Sequence, residues 1–193
     1  MPHDPDTALR MLREGNRRFV EGDSAGHFSA ENRTALTGGQ APWAVVVGCS
    51  DSRVPVEAVF DVGPGELFVV RTAGHVLAEA SVASIRFAVE RIGARTIVVL
   101  GHEDCGAVAA ALAGDAPAWL EPIVGHIDVS AADPSRAPGD ADDALLAAAV
   151  DEHVLATVAA LEGLVTGYAL PGDADVVVVG AAYKLASGEI HWL

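Results

Sequence analysis

The stretch WAVVVGCSDSR at residues 43–53 decides the fold, because a short apolar run changes there abruptly into small and charged residues. An apolar run without alternating polar residues is typical of a strand that is buried on both faces of a parallel sheet. The stretch TIVVLGHEDCGA at residues 96–107 has the same arrangement. Both stretches therefore predict parallel strands that end in polar residues.

The remaining apolar segments complete an α/β pattern. Strands are predicted at Trp43–Gly48, Leu67–Val70, Thr96–Leu100 and Val176–Val179, and helices at Thr7–Val20, Ala80–Ile92, Ala107–Leu112 and Ala144–Leu164. The alternation of strands and helices predicts a central, mostly parallel sheet flanked by helices. A turn at residues 186–188 predicts that Glu189–Leu193 folds back as an antiparallel edge strand.

The chain of 193 residues is predicted to form a single domain. Residues 1–40 are expected to form an N-terminal helical arm and a connection without clear periodicity, and residues 41–193 the α/β core. Residues 128–143 are rich in Asp, Ala, Pro and Gly, and they predict a solvated surface loop.

The charge balance limits the partners of the protein. The chain has 27 acidic and 12 basic residues, which gives a formal net charge of -15. Binding to nucleic acid depends on neutralising phosphates with Lys and Arg, so this balance argues against nucleic-acid partners and against anionic membranes. No apolar run approaches the roughly 20 residues of a membrane-spanning helix. The protein is therefore expected to bind neither nucleic acid nor membranes.

The first residues lack the basic and apolar regions of a secretion signal, which predicts a cytoplasmic protein. A structural disulfide between its two cysteines, Cys49 and Cys105, is then not expected, because the cytoplasm keeps thiols reduced. Inert buried thiols, metal ligands and redox-active thiols remain as interpretations.

Cys49 and Cys105 each lie just past a predicted buried strand, and His102 lies three residues before Cys105. Ligand sites of α/β sheets form where the strands end. Thiolate sulfur and neutral imidazole suit zinc, and three such ligands leave open the fourth position that a structural zinc site would close. Spacing alone leaves buried structural thiols as the alternative.

A charged pair lies beside the first cysteine. Asp51, two residues after Cys49, can bind a metal or face a metal-bound water, and Arg53 would hold the carboxylate charged and oriented. The alternative for this pair is a salt bridge that only caps the end of the strand.

The motifs CSDSR at residues 49–53 and HEDCG at residues 102–106 resemble the two signature motifs of the β-class carbonic anhydrases. The similarity continues through GELFVVRTAG at residues 65–74. It covers most of residues 8–112 and returns at residues 176–188. Two long motifs in this order and at this separation make the resemblance specific.

The resemblance implies a zinc ion bound by Cys49, His102 and Cys105. It also implies reversible hydration of carbon dioxide to bicarbonate and a proton by metal-bound hydroxide. Asp51 and Arg53 match the catalytic pair of the family. In the active form Asp51 pairs with Arg53, whereas in a closed form Asp51 is the fourth zinc ligand.

The resemblance further implies a set of substrate-binding residues. A glutamine orients carbon dioxide, aromatic and small residues line an apolar pocket, and a backbone N–H group binds bicarbonate; the matching positions are Gln40, Phe68, Ala73, Phe87 and Gly106. His75 replaces an asparagine that is common in the family, and either a proton shuttle or a structural histidine is expected there.

Val46 lies where members with a regulatory bicarbonate site have tryptophan, so the constitutively open subtype is expected. The resemblance implies a homodimer or a higher homo-oligomer. Two other functions stay open: hydrolysis of carbonyl sulfide or carbon disulfide on the same scaffold, and a non-catalytic zinc-binding redox sensor.

Overall fold

A five-stranded sheet forms the centre of the protein in the computed structural model, which describes residues 3–129, 143–170 and 175–193. The strands are β1 (Ala44–Cys49), β2 (Leu67–Thr72), β3 (Thr96–His102), β4 (Val177–Tyr183) and β5 (Ile190–Trp192). Their order is β2-β1-β3-β4-β5; the first four are parallel, and β5 is antiparallel to β4. The predicted sheet and its antiparallel edge strand are confirmed.

Helices cover both faces of the sheet. They are α1 (Pro5–Glu21), α2 (Ala30–Ala35), α3 (Val56–Val59), α4 (Glu79–Phe87), α5 (Gly106–Ala113), α6 (Glu121–Val124) and α7 (Asp143–Val165). The four predicted helices correspond to α1, α4, α5 and α7. A π-helical segment, Ala88–Ile92, continues α4. The other three helices are too short to show helical periodicity in the sequence.

The N-terminal helix is part of the domain's own core. Leu12 of α1 is fully buried. The side-chain amide of Asn16 donates hydrogen bonds to the carbonyl oxygens of Val59 (3.1 Å) and Gly188 (2.8 Å), and its oxygen accepts one from the N–H of Ile190 (3.0 Å). These contacts fix α1 to α3 and to the turn before β5.

Most of the predicted surface loop at residues 128–143 lies outside the described residues.

Alternate side chains of β1 enter two different apolar clusters, as expected for a strand covered on both faces. Val46 packs with Leu12 and Phe60 on the side of α1 and α3. Val45 and Val47 pack on the opposite side, which α4 and α7 cover. Burial on both faces explains why this strand contains a continuous apolar run.

Helix α7 has 23 residues, and by length and composition alone it is apolar enough to cross a membrane. Asp151, Glu152 and His153 interrupt its apolar residues, so the helix contains no continuous apolar run of about 20 residues. Buried residues of α7, Val150, Val154 and Leu161 among them, belong to the clusters that pack against the sheet, and the helix contacts β3 and β4. A helix that covers a parallel sheet needs such an apolar surface.

Candidate active site

Three potential metal ligands meet at the carboxyl ends of neighbouring strands. Cys49 is the last residue of β1, His102 is the last residue of β3, and Cys105 directly precedes α5. Since β1 and β3 are paired and parallel, both strands end at the same edge of the sheet. The two sulfur atoms are 4.0 Å apart, and the ligand atoms of the three residues lie within 4.8 Å of one another. The structure thus brings the three predicted ligands together.

The imidazole of His102 is suited to bind a metal. Its Nδ1 lies 2.7 Å from the carbonyl oxygen of Glu103, which can only accept, so Nδ1 carries the proton. Its Nε2 is buried and has no hydrogen-bond partner in the part of the chain that the structure describes. A buried nitrogen lone pair beside two thiols is a donor set that can hold a metal ion, and the Glu103 contact fixes the ring as such ligands require.

The side chains of Cys49 and Cys105 are in contact, and one thiol can donate a hydrogen bond to the other sulfur. Their contact lowers the pKa of Cys49 and raises the pKa of Cys105, because a hydrogen bond from the Cys105 thiol stabilises the Cys49 thiolate. The backbone N–H of Gly74 donates a further hydrogen bond of 3.3 Å to the Cys49 sulfur. A metal that binds both sulfurs as thiolates must therefore displace the proton of Cys105.

Asp51 and Arg53 form a bidentate pair at the rim of this group. The Nε of Arg53 donates to Oδ1 of Asp51 at 3.0 Å, and its Nη2 donates to Oδ2 at 2.8 Å. The backbone N–H of Arg53 also donates to Oδ1, at 2.9 Å. These bonds hold the pKa of Asp51 well below its ordinary value of 3.8. Asp51 is therefore ionised at neutral pH and acts only as an acceptor.

The carboxylate of Asp51 lies next to the ligand group, since its Oδ2 is 3.8 Å from the Nε2 of His102. Arg53 also donates from Nη2 to the carbonyl oxygen of Asp104 (3.2 Å), which ties together the loops that follow β1 and β3. The pairing of Asp51 with Arg53 is the arrangement that the resemblance assigns to the active form.

Arg71 supports this loop from the neighbouring strand β2, a role that the sequence did not indicate. Its Nε donates to the carbonyl oxygen of Cys49 at 2.8 Å, and its Nη2 donates to that of Asp51 at 2.6 Å. An arginine at the end of an apolar strand is the only sequence signal for this contact. These two hydrogen bonds fix the backbone at both ends of the Cys49–Asp51 segment.

The predicted pocket residues fall into two groups. Ala73 precedes Gly74, whose N–H contacts Cys49, and the exposed Gly106 follows Cys105 directly. Both lie beside the metal-binding group. His75 is only 1% exposed, so its side chain does not lie at the mouth of a pocket in this chain, and its role stays a prediction.

Phe68, Phe87 and Gln40 are not brought to this group within the chain. Phe68 pairs with Val45, four residues before Cys49, which is about 13 Å along the sheet. The ring of Phe87 lies 6.3 Å from that of Phe68 and is 50% exposed. Gln40 is exposed and precedes the amino end of β1. Their place in a substrate pocket stays a prediction.

Comparisons with known proteins agree with this arrangement. The family model described as carbonic anhydrase matches residues 44–190. A carbonic anhydrase of Mycolicibacterium smegmatis is 41% identical over 200 aligned residues, which cover 99% of this chain and 95% of that protein.

Solved structures show the same fold. A β-carbonic anhydrase of Aspergillus fumigatus superposes with a TM-score of 0.68 at 24% identity, over 97% of this chain and 89% of that one. Tetrameric β-carbonic anhydrases of Sordaria macrospora give a TM-score of 0.68 at 22% identity, over 97% of each chain. Since the sequence match extends over nearly the whole chain and the fold is that of the β class, this chain is an enzyme of the β-carbonic anhydrase family.

Proposed function

We propose that this enzyme catalyses the reversible hydration of carbon dioxide to bicarbonate, with zinc held by Cys49, His102 and Cys105. The convergence of these three donors beside a carboxylate that Arg53 keeps ionised is the observation that carries the proposal. Zinc bound there would supply a Lewis acid that activates water at neutral to alkaline pH.

The donor set favours a catalytic role over a structural one. Three protein ligands leave a coordination position free, whereas structural zinc sites are closed by four. Asp51 is a further candidate ligand beside the group, but both of its oxygens accept hydrogen bonds from Arg53. The pair therefore keeps Asp51 from filling the free position.

The carboxylate of Asp51 can accept a hydrogen bond from a hydroxyl group of a bound reactant. It is ionised, its orientation is fixed, and its Oδ2 is 3.8 Å from the nearest ligand nitrogen. A fixed acceptor at this place orients a hydroxyl group so that an oxygen lone pair faces carbon dioxide. A redox sensor without catalytic activity has no need of such an acceptor.

The amino end of α5 provides donors for the product. This helix begins at Gly106, and the N–H groups in the first turn of a helix have no partner within it. Such groups bind anions, and Gly106 is exposed next to Cys105. We therefore assign to the N–H of Gly106 the binding of a bicarbonate oxygen.

We also propose that the active unit is a homodimer or a larger homo-oligomer, in which a second copy completes the apolar pocket with Gln40, Phe68 and Phe87. Within one chain these residues are remote from the metal-binding group, and Phe87 is half exposed. The relatives from Sordaria macrospora are tetrameric. Light scattering should give at least twice the mass of one chain, and specific activity should fall on dilution below the dissociation concentration.

Stopped-flow hydration of carbon dioxide at mildly alkaline pH, on protein of measured zinc content, tests the function. We expect rapid turnover by the wild type, and zinc and activity should be lost together in Cys49→Ser. Asp51→Asn should keep its zinc and lose activity about 100-fold or more, the size expected for removal of a proton-handling group.

Asp104→Asn is the matched control, because it removes a carboxylate from the neighbouring loop and keeps the backbone oxygen that accepts from Arg53. Its activity should stay close to that of the wild type. A zinc-loaded wild type without turnover would overturn the proposed reaction, and full turnover by Asp51→Asn would remove that carboxylate from it.

A further inference from the structure

A turn with an uncommon backbone conformation lies directly behind Cys49. Gly74 and His75 both have positive φ angles, of 61° and 45°. Residues with a Cβ rarely adopt this conformation, so surrounding contacts must hold His75 in place. The turn has one evident consequence at the site, because it directs the N–H of Gly74 to the Cys49 sulfur at 3.3 Å.

His153 of α7 holds this turn from the other side. Its Nδ1 accepts a hydrogen bond of 3.2 Å from the backbone N–H of Asp128, so the proton of the neutral ring is on Nε2. That Nε2 lies 2.9 Å from the carbonyl oxygen of Gly74 and donates to it. The tautomer of His153, and with it the direction of its donor, is therefore fixed by backbone groups at both nitrogens.

The ring of His153 also stacks on the strained residue itself. The imidazoles of His75 and His153 have centroids 4.4 Å apart at an angle of 28°, and the side chains are 1% and 2% exposed. Burial lowers the pKa of both rings, so both are neutral at physiological pH. Two neutral stacked rings form a rigid contact, whereas charged ones would repel each other.

We propose that His153 is a positioning residue for the metal site: through the Gly74–His75 turn it holds an N–H···S hydrogen bond on Cys49. This inference rests on the proposed zinc-binding function. Residues that orient metal ligands from outside the ligand shell commonly govern metal affinity and activity. Within the described residues His153 has no hydrogen bond or ring contact with the three ligands, and it acts through its contacts with Gly74 and His75.

We call the contacts that lead from His153 through the Gly74–His75 turn to the Cys49 sulfur the clamp. The N–H···S hydrogen bond at its end can be followed by spectroscopy. A hydrogen bond withdraws electron density from a thiolate and lowers the energy of its lone pairs. If the turn relaxes and the bond is lost, charge transfer from sulfur to a bound metal needs less energy. Cobalt(II), which replaces zinc in sites of this kind, reports that energy as an absorption band in the near ultraviolet.

Two substitutions separate the contacts of His153. In His153→Gln the amide nitrogen can take the place of Nε2 and donate to Gly74. In His153→Asn the shorter amide can accept from the N–H of Asp128 but does not reach Gly74. Each variant thus keeps one of the two hydrogen bonds of His153, and only His153→Gln keeps the bond to Gly74. Leu161→Ala, at a buried residue of α7 that packs in the apolar cluster of Val45 and Val47, controls for loss of stability alone.

We expect the cobalt band of His153→Asn to move to longer wavelength, and the bands of His153→Gln and Leu161→Ala to stay at the wild-type position. The zinc dissociation constant should rise about 10-fold in His153→Asn only. If His153→Asn does not fold, His153→Phe keeps the stacked ring without a donor and should show the same shift.

An unmoved band in folded His153→Asn, or equal shifts in the Asn and Gln variants, would overturn the clamp. A wild type that binds cobalt without any sulfur charge-transfer band would instead overturn the proposed metal site, and the clamp with it. The two failures are thereby distinguished in one set of spectra.

Discussion

A pair of glycine-to-alanine substitutions tests how tightly the Gly74 turn is packed behind the metal site. Gly74 and Gly114 have similar positive φ angles, of 61° and 67°. Their surroundings differ: a Cβ at Gly74 would lie 2.9 Å from Cδ1 of Ile127 and 3.0 Å from Cβ of Ala107, whereas a Cβ at Gly114 would meet nothing within 4 Å. Gly114→Ala therefore measures the cost of the conformation alone.

The expected magnitudes follow from these two contributions. An alanine in the left-handed conformation costs about 1 kcal/mol. Overpacking of a buried site adds about 1–3 kcal/mol. Gly114→Ala should thus lower the free energy of unfolding by about 1 kcal/mol, and Gly74→Ala by about 2–4 kcal/mol.

Urea unfolding at one fixed protein concentration measures both values, since the stability of an oligomer depends on concentration. A third variant locates the clash: Ile127→Val removes the Cδ1 atom, so the double variant with Gly74→Ala should recover part of the loss. Equal losses in Gly74→Ala and Gly114→Ala would refute the reasoning, because packing behind Cys49 would then contribute nothing.

Three further changes are expected to have measurable effects. Arg53→Gln should destabilise the protein slightly near neutral pH, and the difference should shrink as the pH falls below the ordinary pKa of Asp51 (3.8), because a lowered pKa stabilises only the ionised group; unfolding at several pH values measures it. Arg18→Met should cost about 2 kcal/mol by removing a charged partner of the buried Asp61, measured by urea unfolding; an unchanged midpoint would contradict this. Removal of zinc with a chelator should lower the free energy of unfolding by about 3 kcal/mol relative to protein with zinc at 100 times its dissociation constant, seen as a lower melting temperature.

The metal-binding group could be predicted because its residues lie within short stretches of sequence. Cys49, His102 and Cys105 lie within two short motifs, each directly after an apolar run that is recognisable as a buried strand. In a parallel sheet the carboxyl ends of such strands share one edge, so two motifs far apart in sequence meet. The sequence pattern therefore contained both the residue types and their approximate position.

Strand ends were predicted less well, for a physical reason. β3 continues through Gly101 and His102, and their backbones pair with Ala182 and Tyr183 of β4. Pairing of parallel strands depends on the backbone, whereas the sequence pattern reports only apolar side chains. The predicted strands therefore stopped where the apolar residues stopped, short of the segment that presents the metal ligand.

The contacts that support the metal-binding group could not be predicted from sequence patterns. His153 meets Gly74 across 79 positions, and a lone histidine in an apolar helix is most simply read as part of the core. Arg71 holds the carbonyl oxygens of Cys49 and Asp51 from the neighbouring strand. Such contacts depend on which strands are adjacent and on how a helix lies across them, and neither follows from local sequence.

This division between local motifs and distant supports has a consequence for the chemistry. The motifs alone bring together two thiols, an imidazole and a carboxylate, which is enough to bind a metal ion. The backbone at Cys49 and Asp51 and the hydrogen bond to the Cys49 sulfur depend on groups outside the motifs, namely Arg71 and the turn held by His153. Turnover should therefore be more sensitive than metal content to changes in these supports, because an activating group must be placed more accurately than a ligand.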